Sequence, residues 1–322
     1  MNPFTDNPSA SIAALGEAGL LERIREWLGP AMPPYPEGMG DDCAILTAHP
    51  GNLLTTDSLL YRCHFDDTAP PEAAGAKLLK RNLSDIAAMG GRPTVAVMSA
   101  FLPPTTCLRW LEGFVRGLGC CASEHSVRLV GGDLTQTAGD PAFNLTLLGQ
   151  ADRPLPRKGA QPGDHICVTG ELGGSLSGHH LTFQPRLEEG RWLARQTGVI
   201  ACIDITDGLA KDLPALLAEG LAAQLDTACL PASEAVKAIA QDDPNRLLHH
   251  VFRDGEDYEL LFLFRGDENA KAGLESQWRK CFSTRLTAIG EIITGSNEPA
   301  ILDKVTRRAL LSPTETGYLH FR

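Results

Sequence analysis

Short apolar runs of strand length that meet aspartate at one end recur along this chain, and they narrow what it can become. They are MGDDCAIL (Asp41, Asp42), LLTTDSLL (Asp57), RLVGGDLT (Asp133) and ACIDITDG (Asp204, Asp207). Strand ends and the loops after them are where open α/β sheets place ligands. A further acid, Asp85, interrupts NLSDIAAMGGRP, which otherwise reads as the tail of a helix. At helical spacing it falls in line with Leu78, Asn82 and Met89.

A single such acid is ordinary turn or cap chemistry. Asp207 in TDGLAKDL, for instance, can cap a following helix. Several in apolar surroundings are harder to dismiss, because carboxylates there repel one another and lose hydration unless something positive neutralises them. Few Lys or Arg neighbour them in sequence. A set of hard divalent cations, Mg²⁺ with oxygen ligands, answers the problem. Such clusters commonly handle phosphates. Gly131–Gly132 would let a phosphate approach the backbone closely. GELGGSLSG could do the same at a helix start, or be a packing turn.

The spacing between these points predicts a mixed fold. Residues 11–28 read as a helix ending at Gly29–Pro30, followed by a Pro/Gly loop and the strands CAIL and NLLTTDSLL. Helices are expected over 71–89, 105–122, 186–196, 207–219 and 268–280. Strands are expected at TVAVMSAFL, SVRLVGGD, FNLTLLGQA, HICVTG, VIACIDI, AAQLDT, YELLFLF and RLTAIGEII. RPLPRKGAQPGD (153–164) is the best boundary, a structured loop between domains. The class is α/β or α+β.

The net charge of -11 argues against non-specific nucleic-acid binding. No apolar stretch is long enough to span a bilayer. The nine Cys contain no CxxC pair, and most sit beside Val, Ile or Leu, as reduced core thiols do. A soluble cytoplasmic protein is expected. Walker, GxGxxG, HRD, HExxH and GxSxG signatures are all missing. Any use of ATP would need an uncommon fold.

In order, GDDCAIL, TTDSLL followed by HF, KLLKRNLSDIAAMGGRP, LVGGDLT, RKGAQPGD, IDITDGLAKDL, GEDYELLF and the terminal GYLHF resemble the thiamine-monophosphate kinase family. Single blocks are shared with aminoimidazole-ribonucleotide synthetase, selenophosphate synthetase and a hydrogenase-maturation protein. The combination is more specific. The resemblance implies two mixed-sheet α/β (α+β) domains. The first, 1–150, would bind metal and ATP and form a homodimer. The second, 151–322, would complete a cleft for nucleotide and substrate. ATP would phosphorylate thiamine monophosphate directly, giving thiamine diphosphate, with no nucleic-acid or membrane partner.

The same resemblance assigns roles. Asp42, Asp57, Asp85 and Asp133 match metal ligands of the first domain, with Thr55 and Thr56 adding a hydroxyl or backbone oxygen. Asp204 and Asp207 match those of the second, and Asp85 and Asp207 would act in catalysis through bound metal. Gly132, Asp133, Arg157 and Thr206 match nucleotide-contacting positions. His64, Glu256 and Tyr318 match substrate-contacting ones. The histidine pairs 179–180 and 249–250 receive no role. Two other readings stay open: an ATP-dependent enzyme of the same superfamily with another acceptor, and a non-catalytic nucleotide- or metal-binding relative.

Overall fold

The computed structural model describes residues 2–34, 53–295 and 300–310. The chain divides into two compact units, Met1–Ile86 with Arg92–Ala151, and Ala87–Gly91 with Asp152–Arg322. The expected strand CAIL lies outside the described residues.

The first unit contains α1 (Gly16–Leu28), β1 (Leu53–Leu60), α2 (Pro71–Ala88), β2 (Arg92–Leu102), α3 (Leu108–Glu124), β3 (Arg128–Gln136) and β4 (Ala142–Gln150). Its sheet runs β1-β4-β2-β3. Only the β2–β3 pair is parallel, and α3 supplies the crossover that a parallel pair requires. Side chains alternate across the sheet. In β4, Phe143, Leu145 and Leu147 are buried, while Asn144, Thr146 and Leu148 between them are half-buried. The buried face meets an aromatic stack on α3, where the Phe114 and Phe143 centroids lie 4.0 Å apart and Trp110 lies 5.5 Å from Phe114. The other face carries exposed Leu54, Leu60, Val97 and Phe101.

Helices α2 and α3 cross with main chain nearly touching. A Cβ on Gly75 would lie 1.9 Å from the Phe114 carbonyl oxygen, and one on Gly117 would lie 2.0 Å from that of Glu72. Glycine is therefore demanded at both positions.

The second unit contains β5 (His165–Thr169), α4 (His179–Thr182), α5 (Leu187–Ala194), β6 (Val199–Asp204), α6 (Leu209–Asp212), β7 (Leu221–Leu225), α7 (Glu234–Ala240), α8 (Pro244–Arg253), β8 (Leu260–Phe264), α9 (Glu268–Cys281), β9 (Leu286–Thr294) and β10 (Ala300–Asp303). Its sheet runs β10-β7-β9-β5-β8-β6, with β7 and β10 parallel. Every residue of β5 and β8 is buried, as continuous apolar runs in covered sheets are.

Some elements depart from the spacing. The helix expected over 207–219 is a single turn, α6, followed by a 3-10 turn at Pro214–Leu216. Pro214 cannot donate the next helical hydrogen bond. The helix expected within GELGGSLSGHHL is likewise one turn, α4. Helices α7 and α8 were not anticipated. Ser233 caps the first through Val236 N–H, and Asp243 caps the second, with Pro244 at its first position.

The loop after Ala151 is ordered by its own turn chemistry. Buried Asp164 accepts from Gln161 N–H at 2.8 Å and receives both arms of Arg265 at 2.8 Å each. The cysteines need a correction. Cys121, Cys167 and Cys202 are buried, but Cys63, Cys120, Cys229 and Cys281 are exposed, because apolar neighbours in sequence point to other faces. All described cysteines are free thiols, and burial pushes those of Cys121 and Cys167 up to about 12. Among the described residues no helix is long and apolar enough to cross a membrane.

Candidate functional site

In the first unit, strand alternation sorts the candidates of β1. Thr55 and Asp57 share the face of buried Leu53 and Leu59, whereas Thr56 lies on the exposed face with Leu54. The Thr55 hydroxyl donates to Asp85 at 2.5 Å. Asp57 receives Arg81 at 3.3 Å, one helical turn before Asp85 on α2. The acid that interrupts the α2 pattern thus faces the sheet and meets a hydroxyl there. Thr56 turns the other way, bonding to Asn144 and Thr146, so its side chain does not join Asp85. Few Lys or Arg neighbour these acids in sequence, and the fold brings Arg81 of α2 to Asp57, 24 positions away.

Asp133 is exposed on β3, in register with Ser99 of β2, and accepts from the Thr135 hydroxyl at 2.9 Å. A Cβ on Gly132 would lie 1.8 Å from the Met98 carbonyl oxygen. The close β2–β3 pairing alone therefore requires glycine there, whatever else approaches it. His64 follows β1 in a turn and accepts from Leu60 N–H through Nδ1 at 3.0 Å. That bond places its proton on Nε2. Its carbonyl accepts from the fully buried Lys77 at 2.8 Å. Asp42 and Tyr318 lie outside the described residues.

In the second unit, β6 ends at the buried Asp204 and leads through Thr206 and Asp207 into α6. Both turn residues donate backbone N–H groups to one oxygen of Asp212, at 2.9 and 3.0 Å. Burial raises the Asp212 carboxyl to about 7 against the pull of those two donors. Asp207 also pairs with Lys211. Arg157 is exposed on the loop before β5.

The loop carrying Glu256 packs on this turn. Glu256 N–H donates to the Thr206 carbonyl at 2.7 Å, and Tyr258 N–H to that of Ile205 at 2.9 Å. Glu256 and Tyr258 both have left-handed backbones, φ 52 and 53. Such conformations cost about 1–3 kcal/mol each and persist where surroundings enforce them, often at functional sites. Here the enforcement is visible: Tyr258 stacks on Phe183 with centroids 3.8 Å apart, and Glu256 meets His180 at 3.2 Å.

The Gly-rich segment is spoken for by that same loop. Gly173 N–H donates to Asp257 at 2.9 Å and Gly174 N–H to Asp254 at 2.8 Å. These amides hold protein carboxylates, so GELGGSLSG forms a packing turn. Its helix is too short to offer a phosphate site.

Every acid and hydroxyl in these two sets presents oxygen, the donor a hard divalent cation takes. Among the described residues no three His, Cys, Asp or Glu side chains converge closely enough to hold a metal ion.

Comparison with known proteins decides the family. Residues 40–151 match the AIR synthase related protein, N-terminal domain. The chain is 35% identical over 251 residues to thiamine-monophosphate kinase of Rhodopirellula baltica, covering 74% of this chain and 79% of that protein. This chain belongs to the thiamine-monophosphate kinase family. Its fold also matches the crystal structure of thiamine-monophosphate kinase from Stenotrophomonas maltophilia K279a, with TM-score 0.73 and 29% identity over 92% of this chain and 98% of that one. A second match is AaThiL complexed with AMPPCP and TMP, with TM-score 0.67 and 27% identity, covering 92% and 96% of the two chains.

For a member of the thiamine-monophosphate kinase family, three neighbours of these candidates went unread in the sequence, Lys77, Arg81 and Asp212, and His180, which received no role, meets Glu256. Lys77 and Arg81 had a signal, since basic groups on a helix that carries buried leucines need partners. Asp212 and His180 had only proximity, five residues beyond Asp207 and two beyond a Gly-rich turn.

Proposed function

We propose that this chain catalyses ATP- and Mg²⁺-dependent phosphorylation of thiamine monophosphate to thiamine diphosphate. The observation that carries the reading is its family membership across three quarters of its length. The match to a structure holding AMPPCP and TMP supports it.

The acceptor oxygen is a phosphate oxygen that is already ionised near neutral pH, so no general base is required. The problem is to bring two polyanions together in line. Thr55, Asp57, Asp85 and Asp133, joined by Asp42, would hold Mg²⁺ in the first unit, and Asp204 and Asp207 in the second. A Mg²⁺ ion held there would supply neutralisation of the phosphoryl charge. Arg81 and Lys211 pair with Asp57 and Asp207. Gly132, Arg157 and Thr206 would meet the nucleotide. His64 would offer its Nε2–H to the acceptor, and Glu256 and Tyr318 would complete that side. The exposed apolar row Leu54, Leu60, Val97 and Phe101 supports a homodimer through the first sheet. Free thiols support a cytoplasmic setting.

Incubation of the purified protein with ATP, Mg²⁺ and thiamine monophosphate tests the reading. Thiamine diphosphate, detected as its fluorescent thiochrome after chromatography, is the expected product. ATP binding without that product would move the assignment to another acceptor.

A further inference from the structure

Asp212 lies beyond the residues that carry the proposed chemistry, yet the turn carrying two of them is tied to it. Its side chain is only 6% exposed. One carboxylate oxygen accepts the main-chain N–H groups of Thr206 and Asp207, the two residues immediately before Gly208. Gly208 has φ 97, and a Cβ there would come within 2.6 Å of the Phe252 carbonyl oxygen. The turn is therefore pinned on one side by α8 and on another by the Glu256 loop, through Thr206 O. The Glu256 and Tyr258 amides hold the two peptide planes of this turn from their carbonyl side, at Thr206 O and Ile205 O. Asp212 holds the same two planes from their N–H side, drawing both amides to a single oxygen.

We infer that Asp212 is a positioning residue for phosphoryl transfer, holding the main chain of the Thr206–Asp207 turn and with it the placement of both side chains. This inference rests on the kinase reading for its consequence, though not for its geometry. It assigns Asp212 the work of an acceptor of two N–H groups; its negative charge is not the required feature. Asparagine, whose amide oxygen can accept the same two bonds, should therefore replace it, and alanine should not.

The test compares Asp212→Ala and Asp212→Asn in the full chain. The alanine variant should lose about 100-fold in kcat, the scale on which small misplacements act, with KM for thiamine monophosphate moving less than about threefold. The asparagine variant should return to within about fivefold of the wild type. Amide hydrogen exchange at Thr206 and Asp207, read by mass spectrometry, should accelerate about tenfold or more in the alanine variant only. Wild-type kcat or unchanged exchange in Asp212→Ala would overturn the inference. So would an asparagine variant as slow as the alanine one, which would make charge the requirement. If Asp212→Ala does not fold, Asp212→Asn decides: protected amides with retained kcat support the role, and protected amides with lost kcat refute it. If the wild type forms no thiamine diphosphate, the kinase reading falls, and hydrogen exchange still judges Asp212.

Discussion

In the first unit, Asp57 and Asp85 lie half-exposed and are met by side chains: Arg81 at 3.3 Å and the Thr55 hydroxyl at 2.5 Å. In the second, Asp212 and Asp257 are met by backbone amides, those of Thr206, Asp207 and Gly173, while Asp254 takes the Gly174 amide together with the His250 ring at 2.8 Å. Both arrangements supply the positive partner that a carboxylate in apolar surroundings needs. They differ in what can be exchanged. A side-chain partner can swing aside when a ligand arrives, whereas a main-chain amide moves only with its backbone. The first arrangement suits an acid that must change partners, and the second suits an acid that fixes a loop.

The strongest way to break this contrast is to remove an exchangeable acid. Asp85→Asn should lower thiamine diphosphate formation by about a thousandfold with an unchanged circular dichroism spectrum. Wild-type turnover would exclude Asp85 from the chemistry. A smaller effect should follow from its partner. Thr55→Val keeps the strand and removes the donor, and a hydrogen bond to a charged group predicts a loss of about tenfold in kcat/KM. Thr56→Val, on the opposite face, should cost less than Thr55→Val. Equal losses would mean that strand alternation does not sort the two roles.

The third prediction concerns stability. Burial raises the Asp257 carboxyl well above 3.8, and one of its oxygens has no hydrogen-bond partner. The folded protein thus holds this proton more tightly than the unfolded chain. Its contribution to stability is fully present below the unfolded value and falls as pH rises toward the folded one. Asp257→Asn mimics the protonated form. Its melting temperature relative to the wild type should rise between about pH 5 and about pH 8. A difference that stays constant with pH would show that Asp257 is ionised throughout.

Much of the architecture could be read from residue order. The alternation in LLTTDSLL and FNLTLLGQ gave strands with one buried face, and Leu78, Leu79, Leu83 and Ile86 gave α2. Helices α7 and α8 carried readable caps in PASEAV and DDPNR that went unused. Pro214 likewise announced the end of α6. The interactions that shape the candidate site were not readable, because they join distant segments. Gly173 meets Asp257, 84 positions away, and Thr55 meets Asp85, 30 positions away. A Gly-rich turn looks alike whether its amides await a phosphate or hold an aspartate. The acids stood out in the sequence, while the groups that answer them did not.

Neighbouring threonines on β1 face opposite surfaces, and this has a cost for folding. The strand is a two-sided word whose letters alternate between chemistry and greasy outer surface. A slip of one residue in its pairing with β4 would turn Leu54 and Leu60 inward and push Thr55 and Asp57 out. The misregistered chain would lose its acid–hydroxyl pair and turn the buried Leu53 and Leu59 out to water in a single error. Incorrect pairing here therefore cannot persist as a mildly impaired enzyme. It should be eliminated during folding, which makes β1 a checkpoint on the quality of the active fold.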